Sequence, residues 1–204
     1  MKRKTPEITI LLASQSARRK TLLKEMGISF HTVLSSFRET HRKHERPERT
    51  VVRNALGKAS RARIPKDLLR GKRLPLILGA DTVVYFRGKA LGKPPSYADA
   101  VRTLRSMAGR CHDVYTGLAL MTSSMQVVKT AWCRTRVKMK KWSSKKIRDY
   151  VVQVHVLDKA GSYAIQEKPG IVESYRGSYS NVVGLPKETL RKMLARALEG
   201  PLAP

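Results

Sequence analysis

Asp81 follows an apolar run, Leu76-Ile77-Leu78, and a small pair, Gly79-Ala80. A carboxylate at the end of a buried strand, with glycine leaving room beside it, suits acid–base chemistry or a metal. Further on, Gly92-Lys93-Pro94 places an ammonium on the return of a hairpin. A plainer reading makes Asp81 a turn cap and Lys93 a solvated loop charge, because Asp and Gly are ordinary turn residues. A second group precedes them. Ala13-Ser14-Gln15-Ser16 leads into Ala17-Arg18-Arg19-Lys20, and cations in a first helical turn oppose the helix macrodipole by a few tenths of a kcal/mol each, roughly. They fit there if an anion occupies that helix end, bonded by backbone N–H groups, the Ser14 and Ser16 hydroxyls and the arginine forks. The alternative is a solvated basic face. Glu39 is an acid in basic surroundings, which reads as function or as charge compensation. Lys58 lies near the apolar stripe of its helix and reaches either a cleft or the surface.

The elements that must carry these groups follow from periodicity. Ile8 to Leu12 reads as a buried first strand, and Ser16 caps a helix that ends at Gly27. Phe30 to Phe37 suggests a second strand, and Glu48 to Arg63 a helix with Val51, Val52, Ala55, Leu56 and Ala59 on its apolar face. Residues 64–75 form a basic connector. Ser96 with Asp99 is a capping box for a helix stopped by Gly109. Strands follow at Leu118 to Met121 and Gln126 to Met139, then a short helix capped by Ser143 or Ser144. Asp158 to Gln166 reads as a turn and strand, and Pro186 opens a closing amphipathic helix. Strands and helices mix throughout, so the class is α/β.

The chain is long enough for a proper core, most simply as one domain over residues 1–204. Its 42 Lys and Arg against 15 Asp and Glu give +27. The segment around Asp81 is the least basic, with 7 bases and 3 acids over residues 74–130. Such an excess favours polyanions by steering and leaves room for nonspecific contact with nucleic acid. Cys111 and Cys133 are too few for a disulfide framework or a CxxC metal site and read as buried thiols of a reducing cytosol. Lys2, Arg3 and Lys4 before Ile8 to Ala13 mimic a signal peptide, but the apolar stretch is too short. No run has transmembrane length, so a soluble, cytoplasmic protein without membrane insertion is expected.

Six blocks together resemble the Maf family of nucleoside triphosphate pyrophosphatases: residues 11–28, 76–84, 91–94, 108–120, 158–166 and 177–186, in the family's order and spacing. The resemblance implies a Maf/ITPase-like bilobed α/β fold with a central mixed sheet and a nucleotide-binding cleft between lobes. It implies hydrolysis of a nucleoside triphosphate to monophosphate and pyrophosphate, a divalent cation (Mg2+ or Mn2+), and a homodimer. Ser14, Arg18 and Arg19 match the family's phosphate binders, Lys58 the lysine of its second helix, Asp81 the aspartate of GADT, and Lys93 the lysine of GKP. Glu39 falls at a cleft glutamate. Gln166, in Tyr163-x-x-Gln166, matches the branch specific for dTTP and UTP. Asp81 and Glu39 are then the metal ligands, or one is the general base, and Arg18, Arg19, Lys58 and Lys93 supply the positive field. Ala17 replaces the family's Pro before the arginines, a mild change because Pro only preorganises the helix start. Val154-His155-Val156 and Glu167-Lys168-Pro169 depart from the family pattern in ways that bear on metal geometry and base selectivity. Two other functions compete: a 7-methyl-GTP pyrophosphatase, and a non-catalytic nucleic-acid-binding or division-regulating protein.

Overall fold

A computed structural model describes residues 8–42, 44–69 and 74–199. Its axis is strand β5 (Leu74–Phe86), flanked by parallel β1 (Ile8–Leu12) on one edge and antiparallel β7 (Cys111–Thr122) on the other. Beyond β1 lies parallel β2 (Phe30–Thr32). The short β3 (Leu34–Ser35) pairs with β4 (Ala62–Arg63) in a separate ribbon, and β6 (Lys89–Leu91) folds back on the end of β5. Beyond β7 lie antiparallel β8 (Val127–Met139) and β9 (Val172–Arg176). The sheet is mixed, in the order β2-β1-β5-β7-β8-β9.

Strand alternation sends successive β5 side chains to opposite faces. Leu76 and Leu78 pack with Leu22 and Leu23 of α1 (Ala17–Glu25) and with Leu190 and Met193 of α6 (Lys187–Glu199). Ile77 packs on Ala55 and Ala59 of α2 (Pro47–Ser60), and Val83 on Val51 of the same helix. Helix α2 lies unusually close. A Cβ at Gly79 would fall 2.0 Å from the Ala55 carbonyl oxygen, and one at Gly117 would fall 2.4 Å from the Val51 carbonyl. These two glycines, on adjacent strands, let backbone meet backbone. At the far end of the sheet Val84, Phe86 and Val137 pack under α3 (Tyr97–Met107) and α4 (Ser144–Gln153).

The position of the cleft follows from strand lengths. Strand β1 accompanies β5 only to Leu78, where the Ala13 N–H donates to the Leu78 carbonyl at 2.9 Å. Strand β6 joins the same edge only from Val84. Between them, residues 79–83 leave an edge that no described strand covers. Crevices beyond the carboxyl end of a parallel strand are where α/β folds place ligands.

Several local expectations change. Asp81 sits mid-strand in β5; the strand that ends beside it is β1. Phe30 to Phe37 is two short strands, β2 and β3, because Val33 turns inward between them. Asp158 to Gln166 forms a 3-10 turn at Ala160–Ser162 and a further turn, with no strand. Gly161 adopts φ 70° there, and a Cβ on it would meet Val84 at 2.9 Å. Pro186 stands one residue before α6, its carbonyl accepting from the Leu190 N–H. Cys111 is exposed and Cys133 half-exposed, so neither is a buried thiol. The 64–75 connector contains a 3-10 turn at Lys66–Leu69; residues 70–73 and the basic Lys2–Lys4 lie outside the described residues. Among the described residues no helix is long and apolar enough to cross a membrane.

Candidate active site

On the α1 side of β5 the central group is Arg19. Ser16 caps α1, its hydroxyl accepting from the Arg19 N–H, and thereby starts the helix so that Arg19 projects inward. The guanidinium is buried and surrounded by neutral oxygens. Its Nε donates to the Gly184 carbonyl at 2.9 Å, Nη1 to the Ser14 hydroxyl at 2.9 Å, and Nη2 to the Thr82 hydroxyl at 3.1 Å. Thr82 is in turn bonded to Thr116, whose hydroxyl donates to the Asn181 carbonyl. Gly184 ends the short helix α5 (Tyr179–Val183) with φ 122°, the conformation that aims its carbonyl at Arg19. Burial lowers the Arg19 pKa, with Asp81 and Glu39 acting against that fall. Ser14 accepts from both Arg19 and the Ser16 N–H, so its own proton is left to donate to a ligand.

On the α2 side, Lys58 stands between two carboxylates. Its ammonium lies 2.7 Å from Asp81 Oδ1 and 2.5 Å from Glu39 Oε1, and it donates to the Ala80 carbonyl at 3.1 Å. Asp81 is buried, and its second oxygen accepts from Asn54 Nδ2 at 2.9 Å. Glu39 is half-exposed. Partial burial pushes its carboxyl up, but Lys58, Arg19 and Lys93 outweigh that and hold its pKa below the usual carboxylate range. Of the two readings of Lys58, the cleft is the one realised.

The mouth is lined from other elements. Arg18 is partly exposed and pairs with Asp158 at 3.1 Å. The other Asp158 oxygen accepts from the largely buried Lys159 at 2.7 Å, and Lys159 also donates to the His155 carbonyl. Lys93 extends from the loop after β6, and Gln166 from the turn after the 3-10 segment. Ser14, Arg18, Arg19, Glu39, Lys58, Asp81, Lys93 and Gln166 thus all line one cleft of about 610 Å³, large enough for a nucleotide. Ser16 lines the same cleft, with its hydroxyl engaged as the helix cap.

Chemically, the cleft separates a cationic wall from an acidic one. Among the described residues no cluster of three or more His, Cys, Asp and Glu side chains comes together. The pair Asp81 and Glu39 nevertheless fits a small hard cation such as Mg2+ or Mn2+, which takes one or two carboxylates and completes its shell with substrate phosphate and water. Sequence reasoning passed over Asn54, Thr82, Asp158 and Gly184 as site residues. Asn54 did carry a signal, an amide on the otherwise apolar stripe of α2.

A family model described as "Maf-like protein" matches residues 9–197. A curated dTTP/UTP pyrophosphatase of Gloeobacter violaceus is 44% identical over 92% of this chain and 95% of its own. Those of Dictyoglomus thermophilum (39% identical; 92% of this chain, 95% of that one) and Acetivibrio thermocellus (40%; 92% and 94%) are similar along the same length. The Ham1 protein structure of Staphylococcus aureus aligns at 15% identity and a TM-score of 0.48, over 94% of this chain and 98% of that one, too distant to carry weight. With the family model matched from the first described strand to the closing helix, and its cleft built from the same motifs, this chain belongs to the Maf family.

Proposed function

We propose that this protein hydrolyses nucleoside triphosphates, dTTP and UTP foremost, to the monophosphate and pyrophosphate, as a cytoplasmic enzyme that cleans nucleotide pools. The names of its relatives support the substrate class. The observation that carries the reading is the pairing of walls: a buried Arg19 ringed by neutral oxygens faces a cleft whose other wall holds Asp81 and Glu39. Attack of water on the α-phosphorus builds charge on the phosphoryl oxygens and on departing pyrophosphate. Arg19 and Lys93 meet that charge, the Ser14 proton donates to a phosphate oxygen, and Arg18 exchanges Asp158 for phosphate. Lys58 keeps Glu39 ionised and holds both carboxylates in place. Asp81 and Glu39 would hold a divalent cation, which would neutralise the triphosphate and activate water. Asp81 is the more critical of the two, holding that cation or taking the proton of the attacking water. Gln166 reads a pyrimidine edge through its amide donor and acceptor.

Purified protein assayed for pyrophosphate release against dTTP, UTP, GTP, 7-methyl-GTP and ATP, with and without Mn2+, tests this. Turnover greatest on dTTP or UTP is expected, and Gln166→Ala should narrow the preference for dTTP over GTP by up to roughly tenfold, the worth of one lost hydrogen bond to the base. Preference for 7-methyl-GTP would overturn the substrate assignment. No turnover on any nucleotide, together with salt-dependent retention on DNA, would overturn the enzymatic reading. The homodimer belongs to the same proposal and is checked by sedimentation.

A further inference from the structure

Asn54 is fully buried in α2, on the helix face that packs on β5. Its amide has two sides with different partners. Nδ2 donates to Asp81 Oδ2 at 2.9 Å. Oδ1 accepts from Arg53 Nη1 at 3.0 Å and from the Thr40 N–H at 3.4 Å. The reverse orientation would set oxygen against carboxylate and NH2 against guanidinium, so the neighbours dictate which way the amide points.

Thr40 is the residue after Glu39, so one side chain joins the strand carrying Asp81 to the loop carrying Glu39. The loop is held a second time by Arg53, which donates to the Thr40 carbonyl at 2.9 Å and to the Thr40 hydroxyl at 2.6 Å. Arg53 is itself fixed by Glu45, at 2.7 and 3.0 Å, and Glu45 accepts from the Thr50 hydroxyl of α2 at 2.8 Å. The chain Glu45–Arg53–Asn54 therefore reaches the Asp81 carboxylate directly and Glu39 through the backbone of the adjoining Thr40, and none of the three lines the cleft. Lys58 links the same two groups from one turn further along α2. Two points of attachment fix the distance and the plane of a carboxylate, which a single flexible lysine does not.

We infer that Asn54 is a positioning residue for the reaction: it sets Asp81 relative to Glu39 while touching neither substrate nor water. This rests on the pyrophosphatase reading above. Such supporting groups change activity by roughly ten- to a hundred-fold when removed.

The test compares dTTP turnover by the intact protein with that of Asn54→Leu, which keeps the volume but removes both bonds, and Asn54→Asp, which keeps the acceptor toward Thr40 and Arg53 but turns a second carboxylate on Asp81. In both, kcat should fall at least tenfold while KM for dTTP changes less than about threefold, because the phosphate-binding wall is untouched. Arg53→Met, which loosens the clamp without touching Asp81, should lose less, and its effect should be non-additive with Asn54→Leu. If Asn54→Leu does not fold, Arg53→Met alone decides, by the same split of kcat from KM. An unchanged kcat with only a lowered Tm, in whichever variants fold, would overturn the inference and leave Asn54 as packing. A wild-type protein inactive on every nucleotide would instead sink the pyrophosphatase reading.

Discussion

The two faces of β5 handle charge in opposite ways. On the α2 face the ionised groups around Asp81 have ionised partners: Lys58 lies within ion-pairing distance of Asp81 and Glu39, and Glu45 of Arg53. On the α1 face Arg19 is solvated by hydroxyls and a carbonyl, with Asp81 and Glu39 acting on it only at longer range. A buried cation held by neutral dipoles keeps most of its field for whatever enters the cleft, whereas a cation between two carboxylates is already compensated. The neighbouring arginines repeat the contrast on a smaller scale, since Arg18 is half-neutralised by Asp158 and Arg19 is not. The difference assigns labour. The α1 face attracts the polyanion, and the α2 face holds oxygens in place for the chemistry.

If that division is right, damage to each face has its own kinetic signature. The largest effect belongs to Asp81→Asn, which should lower kcat for pyrophosphate release by roughly 10³-fold, within the range of a lost acid–base or ligand group. Near-wild-type turnover would remove Asp81 from the chemistry and break the comparison at its centre. Arg19→Lys comes next. A lysine cannot replace the three-way fork, so kcat/KM should drop about a hundred-fold. Arg18→Lys, on an exposed group already paired, should cost about tenfold at most, and equal losses at the two arginines would erase the contrast between them.

A separate effect concerns stability and lies outside both faces. His112 in β7 is buried, its Nε2 bonded to the Tyr163 hydroxyl at 2.8 Å. Burial lowers its pKa from 6.5 to about 4, against the opposing pull of Asp113. The unfolded chain therefore takes up a proton that the folded chain refuses, so stability falls as pH drops from 6.5 toward 4. Between pH 6.5 and 5 the loss is about 1.5 kcal/mol by linkage. Glu39, held below the usual carboxylate range, stays ionised over that interval, so the α2 face keeps its pairing. Denaturant titrations of His112→Gln should show a flatter slope over the same pH range. An unchanged slope would mean that another group carries it.

Much of this was legible in the chain because it is local. The first strand, the Ser16 cap and its Arg18-Arg19 start, the helix through Lys58, the capping box at Ser96 and the hairpin return at Lys93 each depend on neighbours within a few residues. The break between β2 and β3, the short β4, β9 and α5 escaped because their pairing or packing partners are remote in sequence. Cys111 and Cys133 were misjudged for a related reason: burial belongs to the assembled sheet, and β7 presents Cys111 outward.

By itself, then, the sequence determined which groups were available: two carboxylates, four cations, a serine and a glutamine, on elements whose periodicity and caps are short-range properties. Only the tertiary structure decided what each was for. The ends of β1 and β6 leave part of one β5 edge open, and Gly79 and Gly117 bring α2 close enough for Lys58 and Asn54 to reach Asp81. Those are contacts between residues 22 to 66 positions apart, set by how layers pack rather than by any local preference.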